Sequence, residues 1–126
     1  MQYHATDDAP KAIGPYSQAV SRGEMIFTSG QIPLDPATGE LIAGDFDSMV
    51  RRVFENLRAV LHAAGVDFQD VVRTSVYMTD LAEFPKLNSI YEEYMGEHRP
   101  ARSTIGVAAL PKGAPVEIDM IAMRSS

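Results

Sequence analysis

Apolar residues recur at three- and four-residue steps through Met49, Val50, Val53, Phe54, Leu57, Val60, Leu61 and Ala64. That spacing predicts an amphipathic helix over 45–64. Arg51, Arg52, Glu55, Arg58 and His62 fall mostly on its other side. Asp45 or Asp47 can cap its start, and Gly65 suits its stop. A second stripe of Leu87, Ile90, Tyr91 and Tyr94 predicts a helix over 85–95, with Pro85 in its first turn and Gly96 after its end. Elsewhere the period falls towards two. Segments 16–20 and 25–29 read as a hairpin around Ser21-Arg22-Gly23, and Val71–Met78, 103–108 and Val116–Met123 read as further strands. Segments 10–15 and 33–44 carry the Pro, Gly and Asp of loops.

The predicted order is therefore β-β-α-β-α-β-β, an α+β fold with a mixed sheet and two helices on one face. Two helices cover one face of a sheet only. In the last strand, Val116, Ile118 and Met120 alternate with Glu117, Asp119, Ile121 and Met123, so both faces carry apolar side chains. The pattern predicts that the second face is covered by another subunit. No repeat, linker or low-complexity run divides residues 1–126, and a single domain is expected.

Composition narrows the chemistry. The chain is 45% apolar and 22% charged, with a formal net charge of −6. Phosphate recognition needs a basic face, so no nucleic-acid partner is expected. Cysteine is absent, which removes disulfides, zinc–thiolate centres and thiol nucleophiles. His4, His62 and His98 are not at ligand spacing, and no metal site is expected. No segment reaches the roughly 18–20 apolar residues of a membrane span. The first residues lack the basic and apolar regions of a signal peptide, so the expected location is cytoplasmic. GxGxxG, P-loop and GxSxG patterns are absent.

The most informative stretch is Pro100-Ala101-Arg102-Ser103-Thr104-Ile105, followed after a Pro/Gly-rich connection by Val116-Glu117-Ile118. Arg102 opens one short strand and Glu117 lies near the start of the next. An arginine forks onto a carboxylate through two charge-assisted hydrogen bonds. A carboxylate within reach of the same substrate can hold or activate a water. Taken singly, Arg102 also suits a structural ion pair, Glu117 a solvated strand end, and Tyr16 half-buried packing. Ser29 and Gly30 can offer a hydroxyl and a backbone N–H or merely end a strand, and Asn88 can serve a local hydrogen bond.

Taken together, Ile13-Gly14-Pro15-Tyr16-Ser17, Phe27-Thr28-Ser29-Gly30-Gln31, Pro100-Ala101-Arg102-Ser103 and Val116-Glu117-Ile118 resemble the Rid family, the reactive intermediate deaminases. The resemblance runs from about Ala12 to Ala122. It implies a chorismate-mutase-like fold and a homotrimeric barrel, with helices outside and active sites between subunits. It also implies cofactor-free hydrolysis of 2-imino acids and their enamines, such as 2-aminoacrylate, 2-iminopropanoate and 2-iminobutanoate, to 2-oxo acids and ammonia. These intermediates escape from pyridoxal-phosphate-dependent dehydratases. By motif, Arg102 binds the substrate carboxylate and Glu117 positions or deprotonates water. Tyr16, Ser29, Gly30, Asn88, Ser103 and Thr104 line the pocket. Thr104 departs from the family pattern, which often has cysteine there and uses the backbone N–H. The competing readings are a non-catalytic trimer that binds small carboxylates, an endoribonuclease or translation inhibitor, and a holdase chaperone.

Overall fold

The computed structural model describes residues 1–125. Its strands and helices run in the order β1 (Gln2–His4), β2 (Ala19–Arg22), β3 (Met25–Thr28), α1 (Phe46–Ala63), β4 (Val71–Met78), α2 (Phe84–Met95), β5 (Ala101–Gly106) and β6 (Val116–Met123). All the strands join one six-stranded sheet in the spatial order β1-β2-β3-β6-β4-β5. The β4–β5 pair is parallel, and α2 supplies the crossover that a parallel pair requires. Each of the other neighbouring pairs is antiparallel. The α+β, mixed-sheet, two-helix expectation holds.

Helix α1 starts where the Asp45 carboxylate accepts the Ser48 backbone N–H at 2.8 Å. It ends at Gly65, whose φ of +81° is a left-handed value that suits glycine. The Val66 N–H then returns to the Leu61 carbonyl at 3.0 Å. Helix α2 has Pro85 in its first turn and Gly96 after its last residue, as the pattern predicts.

Three boundaries differ from the sequence reading. Strand β1 was not anticipated, because three residues are too few to display an alternation. The first hairpin strand covers Ala19–Arg22 rather than 16–20. Tyr16 is held in a loop by its N–H on the Gly14 carbonyl at 2.8 Å. The Arg22↔Met25 pairing leaves Gly23-Glu24 as the tight turn, with Gly23 at a φ of +59°. Strand β5 is Ala101–Gly106 rather than 103–108, because its ladder on β4 runs from Arg73 to Met78, where β4 ends. The connection from β5 to β6 does not make a hairpin either, since β4 lies between them.

The helices cover one face of the sheet. Val116, Ile118, Met120 and Ala122 of β6 and Thr74, Val76 and Met78 of β4 are buried there. Phe54 of α1 is the largest fully buried side chain. It stacks on Tyr94 at 4.8 Å between centroids and meets Tyr91 and Phe68 edge-on at 5.8 and 5.9 Å. An Arg51–Glu93 ion pair joins the helices at the surface. The opposite face is open and rich in apolar groups. Tyr3, Phe27, Ile105 and Met123 are 74%, 41%, 48% and 49% exposed.

Removing the ring that joins both helices to the sheet leaves a cavity that rigid strands cannot collapse around. Phe54→Ala is expected to cost about 3–5 kcal/mol, measured by urea denaturation at fixed protomer concentration.

Candidate active site

The predicted site residues fall into two clefts, and the strand period explains the division. Arg102 pairs with Thr74, which is fully buried under α2, so the Arg102 side chain lies on the helix face. Glu117 pairs with Tyr77 and alternates with the buried Val116 and Ile118, so it lies on the open face. Thr74 and Tyr77 are three residues apart on β4, an odd step that reverses the face. Within one chain Arg102 and Glu117 therefore point to opposite sides of the sheet.

The first cleft, of about 440 Å3, is lined by Tyr16, Ser29, Gly30 and Glu117 together with Lys11, Ile13, Ile32, Leu34 and Lys112. Its floor is set by the bridge between Gln31 and Ile118, in which each N–H donates to the other's carbonyl, at 2.9 and 3.1 Å. That bridge brings residue 30 against Glu117. A Cβ on Gly30 would sit 2.5 Å from Glu117 Oε2 and 2.8 Å from its Cδ, so a side chain here would push the carboxylate out of its present place. Ser29 Oγ donates to the Ser17 carbonyl at 2.6 Å, and the Ser29 N–H donates to the Gln18 carbonyl at 2.9 Å. Ser29 thus braces the loop that presents Tyr16, whose ring is about half exposed.

Burial pushes the Glu117 carboxyl above the usual carboxylate range, and the neighbouring Asp119 charge adds to the rise. Asp119 is raised as well, chiefly by burial, with a Ser75 hydrogen bond and the Arg73 charge opposing. A half-buried carboxyl that holds its proton more tightly is equipped for general acid–base work.

The second cleft is lined by Asn88, Tyr91, Glu92, Arg99, Pro100 and Arg102. The Arg102 guanidinium lies over the Tyr91 ring, 4.8 Å from its centroid, and near Phe84 at 5.4 Å. Tyr91 is in turn tied by its hydroxyl to Thr74 Oγ1 at 2.8 Å. Arg102 forms no ion pair among the described residues. Its charge rests on an aromatic shelf and is free to take a carboxylate.

Ser103 and Thr104 are divided by the same alternation. Ser103 Oγ accepts from Arg73 Nη2 at 2.7 Å on the open face. Thr104 pairs with the buried Val76 on the helix face, where its Oγ1 is buried without a partner. Strand β5 is an edge of the sheet, so backbone N–H groups along its outer side are left free.

Two contributors were missed in the sequence. Tyr91 read as a core residue of α2, and nothing in a stripe reveals that one edge of a core ring also supports an arginine. Gln18 fell inside a predicted strand. It is 4% exposed, and its carboxamide accepts the Thr6 N–H at 2.7 Å and donates to the carbonyls of Thr6, Ala9 and Pro10 at 3.1, 3.3 and 2.7 Å. It fixes the segment that walls the first cleft. Among the described residues no group of three or more His, Cys, Asp or Glu side chains gathers as a metal site.

Residues 6–124 match a family model described as "Endoribonuclease L-PSP". Among similar proteins, the chain is 55% identical over 120 residues to Protein DfrA of Myxococcus xanthus, covering 94% of this chain and 92% of that one. It is 47% identical over 123 residues to a 2-iminobutanoate/2-iminopropanoate deaminase of Salmonella typhimurium, covering 95% of each. Its fold superposes on the crystal structure of RidA from the Antarctic bacterium Psychrobacter with a TM-score of 0.94 at 46% identity, covering 98% of this chain and 99% of that one.

The raised Glu117 carboxyl has a consequence for stability. Above the raised native value, Glu117 is charged in both states and only the folded state bears the desolvation. Below the ordinary carboxylate value it is neutral in both, and the penalty vanishes. Stability is thus lost as pH rises through that window. Glu117→Gln is expected to raise the denaturation midpoint at neutral pH and to leave it unchanged in acid below the ordinary carboxylate range, compared at fixed protomer concentration.

Proposed function

The chain belongs to the endoribonuclease L-PSP family, which includes the Rid proteins, and within it we propose a cofactor-independent deaminase that hydrolyses small 2-imino acids to 2-oxo acids and ammonia. The observation that carries the reading is the pair of half-sites. One holds an arginine with no ion-pair partner on an aromatic shelf, and the other a half-buried carboxyl with raised proton affinity. The 47% identity to a protein named for this activity supports the same chemistry.

Because the half-sites open on opposite faces of one chain, a complete site needs two chains. The arrangement we propose is a homotrimer whose subunits meet through the open apolar faces. Each cleft then takes Arg102, Asn88 and the backbone at Thr104 from one subunit and Glu117, Gly30, Ser29 and Tyr16 from its neighbour. Ser103, engaged by Arg73 on the open face, supports the interface rather than the substrate.

The substrate is a 2-imino acid protonated on nitrogen, in equilibrium with its enamine. Arg102 takes the carboxylate through two hydrogen bonds. Glu117 favours the cationic imine and accepts a proton from water as the water oxygen bonds to the imine carbon. The C=N electron pair moves to nitrogen, giving a carbinolamine. Glu117 returns its proton to nitrogen, and as the C–N bond breaks the hydroxyl proton passes to Glu117 and the C=O bond forms. The released ammonia takes that proton and leaves as ammonium with the 2-oxo acid, restoring the Glu117 carboxylate. Every atom comes from substrate and water, and no cofactor is required. General acid–base help of about 10²–10⁴-fold suffices for an electrophile of this kind. Imines derived from serine and threonine are the expected substrates. The family description names an endoribonuclease, but a net charge of −6 opposes a polyanionic substrate.

The test is an assay in which a serine or threonine dehydratase releases the imine and the rate of 2-oxo acid formation is followed. Wild type is expected to accelerate it, and Arg102→Ala and Glu117→Gln are each expected to abolish most of the acceleration while keeping their oligomeric mass. Refolding the two inactive variants together in equal amounts is then expected to restore activity in about one quarter of the sites, the share that random mixing in a closed ring gives when each site draws on two chains. Activity in Arg102→Ala near that of wild type would overturn the roles, and no recovery on mixing would overturn the shared site.

A further inference from the structure

One polar row crosses β6, β4 and β5 on the open face of the sheet, beside Glu117 and Arg73. Asp119 pairs with Ser75, and Ser75 pairs with Ser103. Ser75 stands opposite Asp119 and favours its charge, and Arg73 donates to Ser103 while its own charge offsets that of Asp119. Nothing in the cleft itself requires an acid at position 119. It is half-buried, its neighbours on β6 on the same face are Glu117 and Ile121, and burial there disfavours its charge. An apolar side chain would cost less.

We propose that Asp119 is a positioning residue that acts through Glu117: it lies two residues along β6 on the same half-buried face, opposite Ser75 on β4, and its charge sets the pH at which Glu117 works. Two strand residues advance about 6.6 Å, a separation at which one carboxylate is felt by another when water is largely excluded. Within its own chain the groups around Glu117 are few, and in the proposed assembly Arg102 of the neighbouring subunit joins them across the cleft, with a charge that opposes the effect of Asp119. On β6 it meets Asp119, and on β4 Tyr77. The cleft wall brings Tyr16, Lys11 and Lys112, of which the lysine ammonium of Lys112 is turned onto the Gly39 carbonyl at 2.9 Å. Arg73 tempers Asp119 from β4. Among the described residues Asp119 is thus the one negative charge positioned on the face of Glu117, and its effect has the same sign as burial.

This inference rests on the role given to Glu117 above, and its chemical sense is the two-way proton traffic of imine hydrolysis. The same carboxyl must take a proton from water and deliver it to nitrogen. A nearby negative charge makes it a stronger base and keeps its proton available near neutral pH. Removing that charge lets Glu117 lose its proton at lower pH.

The experiment uses Asp119→Asn and Asp119→Ser in the intact assembly. Serine keeps a hydrogen-bonding group towards Ser75 without the charge. Two quantities are read: the pH profile of imine hydrolysis, and the titration of the Glu117 carboxyl carbon by NMR, which needs no activity. In both variants the acid limb of kcat/KM and the NMR titration are expected to move together to lower pH. The rate well below the wild-type limb should rise several-fold, and the plateau should fall modestly. A loss of rate that is uniform across pH, with the Glu117 titration unmoved, would overturn the inference and leave Asp119 as a structural group. If Glu117→Gln kept wild-type activity, the role of Glu117 itself would fail, an outcome separable from the first because the NMR titration still reports whether Asp119 acts on that carboxyl.

Discussion

Strand β4 is the element on which the arrangement depends. Its backbone bonds antiparallel to β6 on one side and parallel to β5 on the other. With its own alternation it decides which residues of three strands face the helices. Thr74, Val76 and Met78 draw Arg102, Thr104 and Gly106 of β5 and Met120, Ile118 and Val116 of β6 to the helix side. The residues between them, Ser75 and Tyr77, draw Ser103, Ile105, Asp119 and Glu117 to the open side. A one-residue slip in either ladder would exchange every one of these positions. The apolar core under Phe54 holds the register by making such a slip costly.

The two clefts are built by different means. Arg102 is supported through aromatic rings that reach back into the core, so its geometry is fixed by the packing of α2 against the sheet. Glu117 is fixed by a close approach of backbone, where the Gln31–Ile118 bridge brings a glycine against the carboxylate. Gln18 and Ser29 then pin the loop that closes the cleft. The acidic row on the open face opposes stability, because burial disfavours both Glu117 and Asp119 in their charged forms. Groups that weaken the fold where they stand, and that cluster beside a cavity, are the mark of a site shaped for chemistry rather than for packing.

Much of this was legible beforehand. Long stripes at helical spacing and strong punctuation by Gly and Pro carried α1 and α2 to their ends, because capping and side-chain periodicity are local. The alternation in Val116–Met123 correctly divided β6 into a helix face and a second apolar face. The site residue types were readable through motif. Strand limits were less so. Segment 16–20 has the composition of a strand, but Tyr16 and Ser17 are drawn into a loop by Gly14 and Ser29, contacts that no local pattern announces. Strand β1 exists only because β2 offers it an edge.

The pattern of the chain alone decided the secondary structure of the long elements, the α+β class and the presence of a cationic and an anionic group near its end. Tertiary structure decided how those groups relate. Arg102 and Glu117 are fifteen positions apart, near the starts of two successive strands joined by a Pro/Gly-rich connection. Insertion of β4 between their strands, three residues out of phase between Thr74 and Tyr77, sends them to opposite faces instead. Strand order and register are set by long-range hydrogen bonding and core packing, which local sequence does not encode. For that reason the chemistry of each residue could be read directly, whereas the division of the site between two faces became visible only in the folded chain.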